Sequence, residues 1–205
     1  MKPPFSLVVV LSMLTAVPTV AEACINGIEY EVNPKVIALQ GAEAALRVRD
    51  LREAGRLASS ALPNWRKVAP GKTNLEQRAV RVLAIVIVRT GGAWHERGKL
   101  TDSEARQSNL KNAVRLLRMR AIAKIADASR ITDLGEALER IGEYAEARQV
   151  LESLAGSTSI TSAEGWAALA RLRARDGDEP GRLHAQTMCR TMTTKEQICL
   201  APTAA

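Results

Sequence analysis

Apolar residues recur at helical spacing along most of this chain. Leu134, Leu138 and Ile141 fall on one side of a helix, and Tyr144, Ala147, Val150, Leu151 and Leu154 on one side of the next. Gly142 stands between them as the turn. The same alternation of helix and break is repeated on both sides. Val36 to Leu46 and Leu51 to Leu62 predict an earlier pair, and residues 162–191 a later one, with Trp166, Leu169 and Ala170 on its packed side and Gly177 at its turn. Between them, Leu75 to Thr90 carries Val80, Leu83, Ala84 and Ile87 on one side and Val82, Ile85, Val86 and Val88 on the other. A helix apolar all round belongs at the centre of a structure. Its β-branched run also makes it the best strand candidate in the chain, but its length and flanking charges favour helix. Asn109 to Ala128 predicts a long helix packed through Leu110, Ala113, Leu116, Leu117, Ile122 and Ile125. Arg106, Lys111, Arg115, Arg118, Arg120 and Lys124 mark its basic side. The pattern predicts an all-α fold of antiparallel helix–turn–helix pairs.

Local signals punctuate this pattern. Asn33-Pro34 sets up the first helix start. Residues 63–74 form a connector rich in Pro, Gly and Asn, and Gly91 to Asp102 is an insertion carrying Trp94, His95 and Glu96. Thr194 with Gln197 suggests a capping box for a last short helix that ends near Cys199. Ala201 to Ala205 is a tail.

The stretch from Leu134 to Ala155 resembles one unit of the tetratricopeptide repeat (TPR) family. The small pair Leu134-Gly135, the turn Gly142 with Tyr144, and Ala147 stand at that family's signature positions. Gly177 follows Gly142 by 35 residues, close to the family period of about 34. In the first pair Leu51 stands where Tyr144 does and Ala54 where Ala147 does, while Arg49 replaces the turn glycine. In the last pair Glu179 and Arg182 replace the tyrosine and alanine. One such hairpin cannot bury its own apolar faces and needs neighbours. The resemblance therefore implies a short right-handed solenoid of stacked TPR-like hairpins over residues 35–191, with a capping helix and tail at 192–205. It also implies that the first helices line a concave groove holding a segment of a protein partner. Arg78, Arg81, Arg89, Glu136, Arg140, Arg171 and Arg175 stand off the packing stripes of those helices. They are the partner-binding candidates, and an acidic peptide or a C-terminal carboxylate would suit them.

The N-terminus adds a compartment. Lys2, the apolar run Phe5 to Val17, Pro18 and the small residues Ala21 and Ala23 have the order of a secretory signal, with cleavage after Ala23. The run is too short to cross a bilayer comfortably. Residues 24–34 are then an extended lead-in, with Asn26-Gly27 as a turn and Ile28, Tyr30 and Val32 alternating. Export points to the periplasm, the cell envelope or the extracellular space. Cleavage would leave Cys24 first, the position lipidated in bacterial lipoproteins, although Ala21 and Glu22 depart from that pattern. In an oxidising compartment Cys189 and Cys199 are the natural disulfide by proximity. The alternative is a long bridge from Cys24, and three cysteines do not decide between them.

Composition agrees with closely packed helices: 46% of residues are hydrophobic but only 3% aromatic. The formal net charge is +7, and removing residues 1–23 leaves it unchanged. For an exported protein that charge suits acidic proteins, envelope polymers or lipid headgroups rather than nucleic acid. Scarce aromatics also argue against stacking on sugars or single strands.

No catalytic, cofactor-binding or metal-binding constellation is legible. Only two histidines occur, His95 and His184, and three cysteines beside them give no zinc spacing. Ala69 to Thr73, APGKT, ends like a phosphate-binding loop, but Arg66 stands where that loop needs its first glycine and no strand precedes it. Glu136, Glu139, Glu143 and Glu146 have the spacing of a charged helix face, Glu136 pairing with Arg140. The sequence therefore points to a non-enzymatic exported scaffold that binds a protein or peptide partner. The alternative is a lipid-anchored envelope protein acting at the membrane surface through its basic face. An enzyme centred on Trp94, His95 and Glu96 is a third reading.

Overall fold

Capping residues set where the helices begin. In the computed structural model, which describes residues 33–67, 73–121 and 127–200, eight α-helices are present. They are α1 (Pro34–Arg47), α2 (Leu51–Ala61), α3 (Asn74–Arg89), α4 (Ser103–Ala121), α5 (Ala128–Ile141), α6 (Tyr144–Ala155), α7 (Ala163–Arg175) and α8 (Glu179–Met192). Before every one of them except α6, a side chain accepts a hydrogen bond from a backbone N–H of the first turn. The acceptors are Asn33, Asp50, Thr73, Asp102, Asp127, Ser162 and Asp178. Each such cap is worth about 1 kcal/mol. Thr73 completes a capping box with Glu76. The signal-like residues 1–23, Cys24 and most of the lead-in lie outside the described residues, as does most of APGKT.

Each helix packs on the next in sequence, from α1 on α2 through α7 on α8. In addition α1 packs on α3, α3 on α5 and α5 on α7, so the odd-numbered helices lie side by side. Helix α3 is buried all round, from Ala79 to Val88 with the single exception of Arg81, as its two-sided apolar pattern predicts. Its β-branched run is helical because both sides of it have helices to pack against.

Small residues let the paired helices meet closely. Ala42, Ala54 and Ala58 are completely buried between α1 and α2. On α5, a Cβ built at Gly135 would lie 2.5 Å from Leu151 Cγ on α6. The hairpin Leu134–Ala155 thus has room for hydrogen and nothing larger at that position. Its turn residue Gly142 has φ +86°, and Gly177 between α7 and α8 has φ +73°. Arg49 takes the same left-handed conformation between α1 and α2, with φ +66°. A non-glycine residue there costs about 1–2 kcal/mol. The turn before α2 therefore shares its left-handed backbone with the two glycine turns.

Two segments are more structured than their composition suggests. The insertion after α3 forms a small antiparallel hairpin, β1 (Trp94–His95) with β2 (Gly98–Lys99). Buried Asn109 ties it to α4, donating to the carbonyls of Gly92 at 3.0 Å and Trp94 at 2.8 Å. Helix α4 accordingly starts at Ser103, six residues before the apolar periodicity predicts. The connector after α2 contains a 3-10 turn, Trp65–Lys67, and the Trp65 side chain is fully buried. Its indole Nε1 donates to Glu96, and its ring lies 6.5 Å from that of Trp94.

At the C-terminus Cys189 and Cys199 form a disulfide, with their Cα atoms 5.8 Å apart. It joins α8 to a 3-10 turn, Glu196–Ile198, whose Ile198 is buried. A loop this short stabilises by about 2–3 kcal/mol. The expected capping box does not form there. The turn is preceded by Lys195, without a side-chain cap, while the hydroxyl of Thr193 accepts from the Lys195 N–H at 3.1 Å. A single 3-10 turn held by the disulfide is too short to present the N3 position that Gln197 would occupy in an α-helix.

Among the described residues no helix is long and apolar enough to cross a membrane.

Candidate functional site: a basic groove

The odd-numbered helices form one side of a groove of about 1220 Å³. The end of α1, the side of α3 that carries Arg78, Arg81 and Arg89, the start of α5 and the start of α7 contribute to it. The end of α8 and the disulfide-clipped segment after it complete the lining. Eight basic and four acidic side chains line the space, so its formal balance is positive.

Three of the predicted partner-binding residues, Arg78, Arg81 and Arg89, face this groove. Each is already held by carboxylates. Arg78 makes a two-pronged pair with Glu43 at 2.8 and 2.6 Å, and those hydrogen bonds hold the Glu43 carboxyl below its usual range. Arg81 Nε lies 2.6 Å from Asp133, which is nearly fully buried. Burial opposes the charge on Arg81, but the hydrogen bond and charge of Asp133 outweigh it.

Arg89 is the most buried of the three. It donates from two nitrogens to Glu136 on α5, both at 3.2 Å, and its third nitrogen lies 3.3 Å from Glu164 on α7. Glu164 in turn lies 3.3 Å from Arg49 in the α1–α2 turn. Arg49, Glu164, Arg89 and Glu136 thus form one chain of charges joining four successive hairpin positions. The Arg89 and Glu136 side chains are only 9% and 4% exposed. Burial pushes the Glu136 carboxyl above its usual range even though Arg89 pulls it back. Glu136 is therefore an internal counter-ion, and it does not line the groove.

The remaining predicted residues lie elsewhere. Arg171 is paired with Glu139 at 2.7 and 2.8 Å, and Arg140 lies 4.0 Å from the same carboxylate. Arg175 stacks on Tyr144, 3.9 Å from its ring centre. None of the three is part of the groove lining. Sequence reasoning missed Arg47, Arg49, Arg130, Arg190 and Lys195, which do line it. Arg47 follows Glu43 by one helical turn, a signal that its phase on α1 could have given. The positions of Arg190 and Lys195 depend on the C-terminal segment returning to α1, which local sequence does not encode. Among the described residues, Arg47 and Arg190 are exposed and have no carboxylate within ion-pair distance.

The basic side expected of α4 is largely spent on internal contacts. Arg106 donates to the Gly91 carbonyl at 3.2 Å, Arg115 bonds Asn112, and Arg118 reaches both Glu143 and Glu146. The side chain of Arg120 and all of Lys124 lie outside the described residues. A second depression, of about 900 Å³, lies beside the hairpin and includes Trp94, His95 and Glu96. Glu96 is engaged there by Trp65 and by Arg66 at 3.1 Å, and His95 Nδ1 accepts from the Arg97 N–H at 3.1 Å. Among the described residues no three His, Cys, Asp or Glu side chains are grouped to hold a metal ion.

Comparison of the chain with protein-family models, with curated proteins and with solved structures gives no match.

Proposed function

We propose that this chain is an exported, non-enzymatic interaction scaffold of TPR-like type that holds an acidic segment of a protein partner in its basic groove. The observation that carries the reading is the groove itself. It runs along the odd-numbered helices, its cations outnumber its carboxylates two to one, and among the described residues no carboxylate lies within ion-pair distance of Arg47 or Arg190. The hairpin order, the left-handed turns at Arg49, Gly142 and Gly177, and the close approach at Gly135 support the TPR-like part. The disulfide supports an oxidising compartment.

Arg47→Glu with Arg190→Glu is the test of the groove, because neither residue holds the fold together. Capture of a partner from envelope extracts by the purified protein, followed by crosslink mapping, should place the partner against α1, α3 and α5. The double reversal should remove that capture, while Arg140→Glu, away from the groove, should leave it intact. Capture equal in all three proteins rules the groove out. Mass spectrometry of the mature protein checks the export step: a chain beginning at Cys24 is expected, and an intact Met1 end refutes it.

A further inference from the structure

The groove has one end where charge and apolar surface coincide. Large apolar side chains are exposed at only five described positions: Ile37, Val48, Leu183, Met192 and Leu200. Two of them, Val48 at 69% and Met192 at 44%, line the groove, and the other three do not. A scattered exposed aliphatic is ordinary. Here, however, the two lie on segments that meet. Val48 follows the end of α1, Met192 ends α8, and Lys195 Nζ donates to the Val48 carbonyl at 2.9 Å. Arg47 directly precedes Val48 and Arg190 stands two residues before Met192, and both also line the groove.

The segment after α8 is thus more than a cap. It contributes Thr193, Thr194, Lys195 and Ile198 to the groove wall. Its position is fixed from behind by the Cys189–Cys199 disulfide and by the burial of Ile198, and from in front by the bond to Val48.

We infer that Val48 and Met192, which line the groove together with Arg47, Arg190 and Lys195, form its anchoring subsite, and that it takes an aliphatic side chain flanked by carboxylates on an acidic polypeptide segment. The inference rests on the reading of the groove as a partner site. Charge complementarity selects the occupant. The cations in the lining favour carboxylates beside a central residue and disfavour a basic segment. The aliphatic side chain of that residue covers Val48 and Met192, which water otherwise wets.

The probe is a fluorescein-labelled peptide of glutamates around one central leucine, with a serine counterpart, titrated by fluorescence anisotropy. The leucine peptide should bind the wild-type protein about tenfold more tightly than the serine peptide. In a Val48→Ser, Met192→Ser variant the two peptides should bind alike, and Arg47→Glu with Arg190→Glu should weaken both by about tenfold or more. All these positions are exposed, so circular dichroism should show the variants folded. If the wild type binds the two peptides alike while the double reversal still weakens both, the subsite is wrong while the groove reading stands. If neither peptide binds at about 1 mM, both fall. If neither binds but phosphatidylglycerol vesicles do, and the double reversal abolishes that, the site belongs to a lipid headgroup and the proposal is overturned.

Discussion

Replacing Arg89 by methionine is expected to destabilise the protein by about 3–5 kcal/mol at neutral pH, the largest loss from any one charged side chain in the molecule. The change strands Glu136, which is buried on α5, and takes one of two cations from Glu164. The loss should depend on pH with a definite sign. Burial already raises the Glu136 carboxyl above its ordinary range, so the folded protein holds that proton more tightly than the unfolded chain does. The stability linked to this proton is fully present below the unfolded value of 4.5 and is lost as pH rises through the folded value. Without Arg89 the folded value rises further. The difference between wild type and variant should therefore be greatest near neutrality and shrink toward pH 4.5. Carboxylates held low by arginines, such as Glu43 and Glu152, lose stability in acid in both proteins and cancel in the comparison. Adding Glu136→Leu to Arg89→Met should restore most of the loss, because a buried ion pair is replaced by apolar groups of similar size. Urea unfolding across pH measures all three proteins. A pH-independent deficit, or no recovery in the double variant, would show that Arg89 acts through packing alone.

Trp65→Ala is expected to cost about 3–5 kcal/mol, as much as the loss of a large side chain from a helical core. Trp65 lies in what composition marks as a connector, yet it is fully buried and is one of the largest buried side chains. It joins the connector to the hairpin. Its ring packs near Trp94 of the hairpin, its Nε1 donates to Glu96, and Arg66 stacks over it at 4.4 Å. Trp65→Phe separates these roles, since it keeps most of the apolar volume and removes only the donor. The loss should then be nearer 1–2 kcal/mol, roughly that of one hydrogen bond to a carboxylate. Equal losses for the two variants in thermal unfolding would assign the effect to the hydrogen bond. A negligible loss for Trp65→Ala would mean that the connector does not brace the hairpin.

The helices were legible because their information is local. Leu134, Leu138, Ala147, Leu151 and Leu154 are buried where periodicity puts them, Ile141 is half-buried, and Gly142 turns as its lack of a side chain allows. The two-sided burial of α3 follows from its sequence in the same way. Trp65 was not legible, because a lone tryptophan between Pro63 and Gly71 carries no period, and its partner Glu96 lies 31 residues on. The groove residues divide along the same line. Arg78, Arg81 and Arg89 lie on one helix, so their facing was readable from α3 alone. Their carboxylate partners come from α1, α5 and α7, so their pairing was not. The C-terminal wall depends on a contact spanning 147 residues, between Lys195 and Val48, which no window along the chain contains.

That contact, together with the bridge from Arg49 to Glu164, joins the first hairpin to the last. A linear array of hairpins unravels from its ends, where each terminal unit has a neighbour on one side only. Here the outermost units hold each other, so neither can peel away without also releasing the other. Melting from the termini is thereby suppressed, and the helices should be lost together rather than one hairpin at a time.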